Sequence, residues 1–167
     1  MLINLSSLGY NYAEMKRDEI QKLFKVLGEE LEKAKDRERK VKEAADEIAR
    51  SAYNSPSQSG DRFHSQSQAD IAKENVERLE NILKKVEKEL QNPVPESITP
   101  VCWINLEYED GGKDGFFLLD EPLSISGYKF VSSNSPFGNK LKGKKVGEKF
   151  EFVSGDIRKA GTVVLIE

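Results

Sequence analysis

Asp61 is the residue of this chain best suited to metal chemistry, because it is the only acid within residues 54–68. Carboxylate oxygens are the ligands that Mg²⁺ prefers, so Asp61 is the candidate catalytic and metal-binding residue. A single carboxylate makes a weak site, and Arg62 and His64 would tend to repel a cation. The alternative is structural, since an aspartate that follows Gly60 at the start of a helix is a common N-cap.

His64 is the only histidine in the chain. An imidazole can transfer a proton near neutral pH or contact a phosphate group. The alternative is a solvent-facing helix residue with no chemical task. The residues around it are mostly polar, and we treat them as one candidate contact surface: Ser57, Gln58, Ser59, Gly60, Asp61, Arg62 and His64.

A basic run occupies residues 33–43. Its cations are Lys33, Lys35, Arg37, Arg39, Lys40 and Lys42, and its acids are Asp36, Glu38 and Glu43. The local excess of positive charge could hold nucleic-acid phosphates. Equally, the run could be the solvated face of a helix whose charges form intrahelical ion pairs.

Ser135, Pro136 and Phe137 form a third candidate surface. Apolar residues beside the start of a helix suit a protein interface. The same residues also have a structural interpretation, in which Ser135 caps a short helix, Pro136 is its first residue and Phe137 belongs to the core.

Two heptad patterns predict the helices that position the contact surface around Asp61 and the basic run. In the first pattern apolar or small residues fall at Ile20, Phe24, Leu27, Leu31, Ala34, Val41, Ala45, Ile48 and Ala52, with Glu38 as the break. In the second they fall at Ala69, Ala72, Val76, Leu79, Leu83, Val86 and Leu90. Alternating steps of four and three place these residues on one face of a helix and predict a coiled coil.

A turn is predicted between the two patterns, where Pro56 and Gly60 interrupt helical geometry. We therefore expect helices over about residues 13–53 and 62–91, roughly 60 and 45 Å long at about 1.5 Å per residue. One turn between two such helices predicts an antiparallel hairpin. The sequence Asn92-Pro93-Val94-Pro95 ends the second helix, so we expect a hairpin domain over residues 1–92 and a second domain over 93–167.

The second domain changes to a period of two residues, which is typical of strands. Strands are predicted over residues 101–108, 116–119, 128–131, 149–153 and 162–166, and a short helix over 137–141. The whole chain is therefore predicted to be α+β. The predicted core of this domain comprises Trp103, Leu106, Phe117, Leu119, Phe130, Leu141, Val146, Phe152, Val164 and Ile166.

The composition of the chain excludes several classes of protein. Charged residues make up 33% and apolar residues 37%, as expected for long solvated helices, and the net charge of −3 provides no global attraction to nucleic acid. Cys102 is the only cysteine, which excludes an internal disulfide and a multi-cysteine zinc site. No apolar run reaches the length of a membrane span. We expect a soluble cytoplasmic protein.

Residues 126–167 carry a resemblance to a known family. The Asn134-Ser135-Pro136 opening and the residues 143–148 turn before a Phe-rich strand are similar to the C-terminal domain of Gre transcript-cleavage factors. Gly60-Asp61 and Phe63-His64 also resemble the Gly-Asp and Tyr-His of the Gre hairpin tip.

This resemblance implies a fold and a set of partners. It implies an FKBP-like fold for residues 93–167 and RNA polymerase as the partner, with the hairpin in the polymerase secondary channel near the nascent RNA 3′ end. It implies that Ser135, Pro136 and Phe137 bind the coiled-coil rim of that channel. It also implies that the protein acts within transcription complexes and binds DNA there. A monomer without its own cofactor is expected, apart from Mg²⁺ shared with the polymerase active site.

The hairpin tip departs from the family pattern. In Gre factors the Gly-Asp acid is followed three residues later by Glu and then Asn, whereas this chain has His64 and Ser65. Cleavage-active members use two carboxylates to hold a second Mg²⁺. The resemblance therefore implies a regulator of RNA polymerase that is not itself an enzyme and lacks strong cleavage. The alternatives are a cleavage factor that uses Asp61, and a prolyl isomerase, chaperone or coiled-coil adaptor.

Overall fold

The computed structural model describes residues 17–52 and 59–167, which divide into two compact units. One unit covers Gln21–Gln91, and the other covers Asn92–Glu167 together with residues 17–20. No helix within the described residues is long and apolar enough to span a bilayer.

The first unit is a helical hairpin, as predicted. It consists of α1 (Asp18–Ala52) and α2 (Ser59–Leu90). The helices run antiparallel, because Ile48 near the end of α1 shares a groove with Ser65 near the start of α2, whereas Phe24 shares a groove with Leu83. The predicted residues 13–16 and 53 lie outside the described residues.

Buried side chains follow the predicted period but form a wider stripe than a strict heptad seam. Within the hairpin unit the buried apolar residues are Leu23, Leu27, Leu31, Ala34 and Ala45 on α1, and Val76, Leu79, Ile82 and Val86 on α2. Leu23 and Ile82 were not predicted, while Phe24 and Leu83 beside them are only half-buried. A helix that packs on one partner buries a stripe of three or four residues per two turns, so neighbouring positions share the interface.

The second unit contains one five-stranded sheet and a short helix. The elements are β1 (Cys102–Tyr108), β2 (Lys113–Leu119), β3 (Phe130–Ser132), α3 (Pro136–Leu141), β4 (Lys149–Ser154) and β5 (Ile157–Ile166). The strand order is β3-β2-β1-β5-β4. All neighbours are antiparallel except β2 and β3, which are parallel. The α+β fold class is therefore confirmed.

Strand alternation sorts the side chains of this sheet onto two faces. One face packs with Leu141 of α3 in a core that comprises Ile98, Cys102, Ile104, Leu106, Phe116, Leu118, Leu141, Phe150, Val163 and Ile166. The other face has an aromatic row, in which the Phe117 ring lies 4.7 Å from Trp103 and 5.6 Å from Phe130 between centroids. Both faces thus exclude water near the centre of β2, where Phe116 to Leu119 are all buried.

The prediction that Val146 and Val164 belong to the core is wrong. They are 51% and 47% exposed. Val164 is displaced by a register shift, because Asn105 pairs with Leu165 whereas Leu106 pairs with Val163. An extra residue in one strand reverses the alternation beyond it. Val146 lies in the turn before β4, outside the sheet.

The position of α3 depends on Gly138. A Cβ atom at this residue would lie 2.1 Å from the carbonyl oxygen of Ser132 at the end of β3. Only glycine allows the helix to approach the backbone so closely. This contact places the start of α3 directly beside the end of β3.

Candidate functional site

Asp61 lies inside the first turn of α2, and its side chain is exposed. The N-cap interpretation is wrong, because the helix begins two residues earlier at Ser59. A carboxylate in the first turn still interacts favourably with the positive end of the helix dipole. Of the predicted contact surface, Ser57 and Gln58 lie outside the described residues.

His64 is exposed one turn further along α2. Its Nε2 atom lies 3.0 Å from Nε2 of Gln68, which is consistent with an amide N–H that donates to the imidazole. Both residues line a shallow groove with Asp61, and Ile48 and Ser51 of α1 form its other side. The imidazole is therefore an exposed group near Asp61 that is already engaged by an amide.

The described end of the hairpin offers few ligands to a magnesium ion. Asp61 is the only carboxylate that lines the groove, and the Ser65 hydroxyl beside it donates to the carbonyl oxygen of Arg62 at 3.0 Å. The part of the chain that the structure describes contains no group of three His, Cys, Asp or Glu residues able to hold a metal. Mg²⁺ prefers an octahedral set of oxygens, and this groove offers one carboxylate, the imidazole and the neutral side chains of Ser51, Ser65 and Gln68.

The basic run of α1 is largely ion-paired. The Lys33 ammonium lies 2.7 Å from Glu30, Lys40 lies 2.6 Å from Asp36, and Lys35 reaches across to Glu80 of α2 at 3.1 Å. Arg39 also pairs with Asp36. These contacts favour the interpretation of the run as a solvated helix face. Arg37 and Lys42 form no ion pair within residues 17–52 and 59–167.

The pKa values of this run follow from those pairs. A hydrogen bond to Glu30 raises the pKa of Lys33 above its ordinary value. A hydrogen bond from Lys40 lowers the pKa of Asp36 below its ordinary value. These hydrogen bonds therefore favour the charged forms of Lys33 and Asp36.

Ser135 and Pro136 form the start of α3. The Ser135 hydroxyl donates to the carbonyl oxygen of Ser132 at 2.7 Å and accepts the N–H of Gly138 at 3.0 Å, as an N-cap does. Pro136 is the first residue of the helix and is exposed. These two residues thus shape an exposed corner of the second unit.

Phe137 has the structural role that was left open in the sequence. Its ring is half-buried and packs 5.3 Å from Phe152 and 6.0 Å from both Phe116 and Phe150, between centroids. Phe137 therefore anchors the start of α3, with Ser135 and Pro136, to the aromatic side chains of the core.

A cluster around Tyr108 was not predicted. The Lys159 ammonium lies 5.7 Å from the ring centroids of both Tyr108 and Phe137, within range of a cation–π interaction. Burial, followed by the charges of Asp114 and Asp110, raises the pKa of the Tyr108 hydroxyl. Tyr108, Phe137 and Lys159 come from β1, α3 and β5, so no local pattern could have revealed the cluster.

Comparisons with known proteins found structural neighbours only. No protein-family model matches the chain, and no curated protein matches it. Among solved structures, Gfh1 from Thermus aquaticus has a TM-score of 0.39 at 21% identity, covering 86% of this chain and 92% of the neighbour. GreA factor homolog 1 (Gfh1) from Thermus thermophilus has a TM-score of 0.38 at 20% identity, covering 86% and 94%. The prokaryotic transcription elongation factor GreA/GreB from Nitrosomonas europaea has a TM-score of 0.37 at 21% identity, covering 54% and 91%. The chain is similar to these Gre proteins, the family that its sequence resembles.

Proposed function

We propose that this protein is a Gre-like transcription factor that binds RNA polymerase and inserts its helical hairpin in the secondary channel. There it modulates transcription without strong transcript cleavage. The observation that carries the proposal is the lone carboxylate, Asp61, in the first turn of α2.

The dimensions of the hairpin support insertion into a narrow channel. The 35 residues of α1 and the 32 residues of α2 correspond to about 52 and 48 Å of helix at about 1.5 Å per residue. Their apolar stripes face each other, so the outer surface is mostly polar and charged, although Phe63 and Ile71 of α2 are exposed.

The chemistry of the hairpin end supports weak cleavage. Two-metal displacement requires two ions held about 4 Å apart by fixed oxygen ligands. Asp61 supplies one carboxylate, and the position three residues later is His64, which lies beside Gln68. This end of the hairpin would add little to the affinity of the polymerase for a second ion.

The start of α3 is the proposed polymerase-binding segment. Ser135 and Pro136 present an exposed corner whose backbone geometry is set by the cap. Phe137 contributes by holding that corner against the aromatic core. A rigid, partly apolar corner loses little conformational entropy on binding.

Binding and cleavage are tested together on purified components. The unmodified protein should bind core RNA polymerase, compete with an authentic cleavage factor, and stimulate little or no cleavage of RNA in backtracked complexes. His64→Glu restores a second acid one helical turn from Asp61 and should increase cleavage. His64→Gln is the matched control, because it changes the same side chain without adding a carboxylate.

The second candidate is an active cleavage factor that uses Asp61, and the exposure of that carboxylate favours it. Strong cleavage by the unmodified protein that disappears in Asp61→Ala would replace the first candidate with this one. Failure to bind core polymerase would contradict both.

A further inference from the structure

Four lysines cluster where α3 ends, and we call them the lysine turn: Lys140, Lys142, Lys144 and Lys145. None of the four lies in an ion pair within residues 17–52 and 59–167. Lys142 donates only to the neutral amide oxygen of Asn134, at 3.3 Å. The nearest acid in sequence, Glu148, directs its Oε2 atom to the backbone N–H of Lys145 at 2.7 Å.

Several cations elsewhere in the described residues have carboxylate partners, unlike the lysines of the turn. Lys33 pairs with Glu30, and Arg158 pairs with Glu151 at 2.7 Å. In the lysine turn, several like charges lie close together without such neutralisation. An external anion would remove their mutual repulsion.

Backbone hydrogen bonds hold the lysine turn in one conformation. The Gly143 N–H donates to the carbonyl oxygen of Ile98, and the Ile98 N–H donates to that of Lys144, each at 2.8 Å. The Gly147 N–H donates to the carbonyl oxygen of Val163 at 2.8 Å. The backbone of the lysine turn is therefore positioned before any ligand arrives, which lowers the entropic cost of binding.

The side-chain types of the lysine turn decide which anion suits it. Protein interfaces are depleted in lysine and enriched in aromatic residues and arginine, and none of these enriched types occurs within residues 138–149. Single-stranded nucleic acids are usually bound by aromatic stacking, which this turn cannot provide. Lysine is a compact charge that binds phosphate without reading base edges.

We propose that the lysine turn binds the phosphate backbone of duplex DNA without sequence specificity. Duplex DNA carries one negative charge per about 1.7 Å of its axis, so several closely spaced lysines can each release a condensed counterion. The net charge of −3 opposes this contact, which makes the binding local and strongly dependent on salt. The contact does not require RNA polymerase and is therefore independent of the proposed function.

Fluorescence anisotropy with a short labelled duplex and the full chain tests the proposal. A slope of about −0.9 per neutralised phosphate predicts a log–log salt dependence between about −3 and −4, so a roughly fourfold rise in salt should weaken binding about 100-fold. Replacing all four lysines of the turn with Gln should abolish the binding and its salt dependence. The matched control replaces Lys33, Lys35, Arg39 and Lys40 of α1 with Gln, removes the same charge and should retain binding.

A further variant and two other ligands distinguish the possible outcomes. Replacing the four lysines with Arg should retain binding. Trp103 fluorescence should show that the variants of the lysine turn are folded, and circular dichroism should show that the α1 control is folded. Absence of duplex binding at low salt would overturn the proposal. Tighter binding of a polyglutamate peptide would identify an acidic protein surface instead, and tighter binding of single-stranded RNA would identify that ligand. An equal loss in the α1 control would show that total charge, rather than the lysine turn, governs binding.

Discussion

Replacing Phe137 with Ala should separate the stability of the second unit from polymerase binding. The ring packs against Phe116, Phe150 and Phe152 at centroid distances of 5.3 to 6.0 Å. Truncating a fully buried Phe to Ala costs about 3–5 kcal/mol, and Phe137 is half-buried. We therefore expect the free energy of unfolding to fall by about 2 kcal/mol.

Pro136→Ala provides the matched comparison. Pro136 is exposed at the first position of α3, so its replacement should change the free energy of unfolding by less than about 1 kcal/mol. If this residue contacts polymerase, the variant should nevertheless bind core polymerase more weakly. Phe137→Ala should therefore mainly lower the free energy of unfolding, whereas Pro136→Ala should mainly weaken polymerase binding.

Fluorescence of Trp103 is the appropriate assay for stability. It is the only tryptophan of the chain and lies in the sheet beside Phe117, so it reports unfolding of the second unit, whereas circular dichroism is dominated by the hairpin. For a small domain, a loss of about 2 kcal/mol corresponds to a decrease in melting temperature of about 8–16 °C. A Phe137→Ala protein that melts like the unmodified protein but no longer binds polymerase would refute the packing argument.

Two further predictions concern backbone contact and pH. Gly138→Ala should lower the melting temperature of the second unit, monitored by Trp103 fluorescence, because the added methyl would lie 2.1 Å from the Ser132 oxygen; unchanged melting would show that α3 can shift. Asp36 has a lowered pKa owing to Lys40, so its contribution to hairpin stability is present above its unfolded pKa and is lost as pH falls through the folded value. Melting of Asp36→Asn by circular dichroism should therefore show a weaker decrease at acidic pH than the unmodified protein, and equal pH profiles would contradict this account.

Local patterns in the sequence determined the elements and their types. The heptad steps predicted two helices because a helix repeats its face every few residues, whatever it packs against. Ser135 followed by Pro136 predicted the start of α3 for a similar reason, since a cap involves only neighbouring backbone groups.

Only the tertiary structure decided where the strand register shifts, how rings from different elements pack and which charges are paired. Val164 is exposed because the register of β5 against β1 shifts by one residue, and Phe137 faces the core because rings from β2 and β4 surround it. The lysine turn resembles the basic run of α1 in composition, yet the cations of that run include Lys35, which finds Glu80 on another helix. Strand register, ring packing and ion pairing between elements all depend on residues far apart in the chain, so local sequence patterns do not specify them.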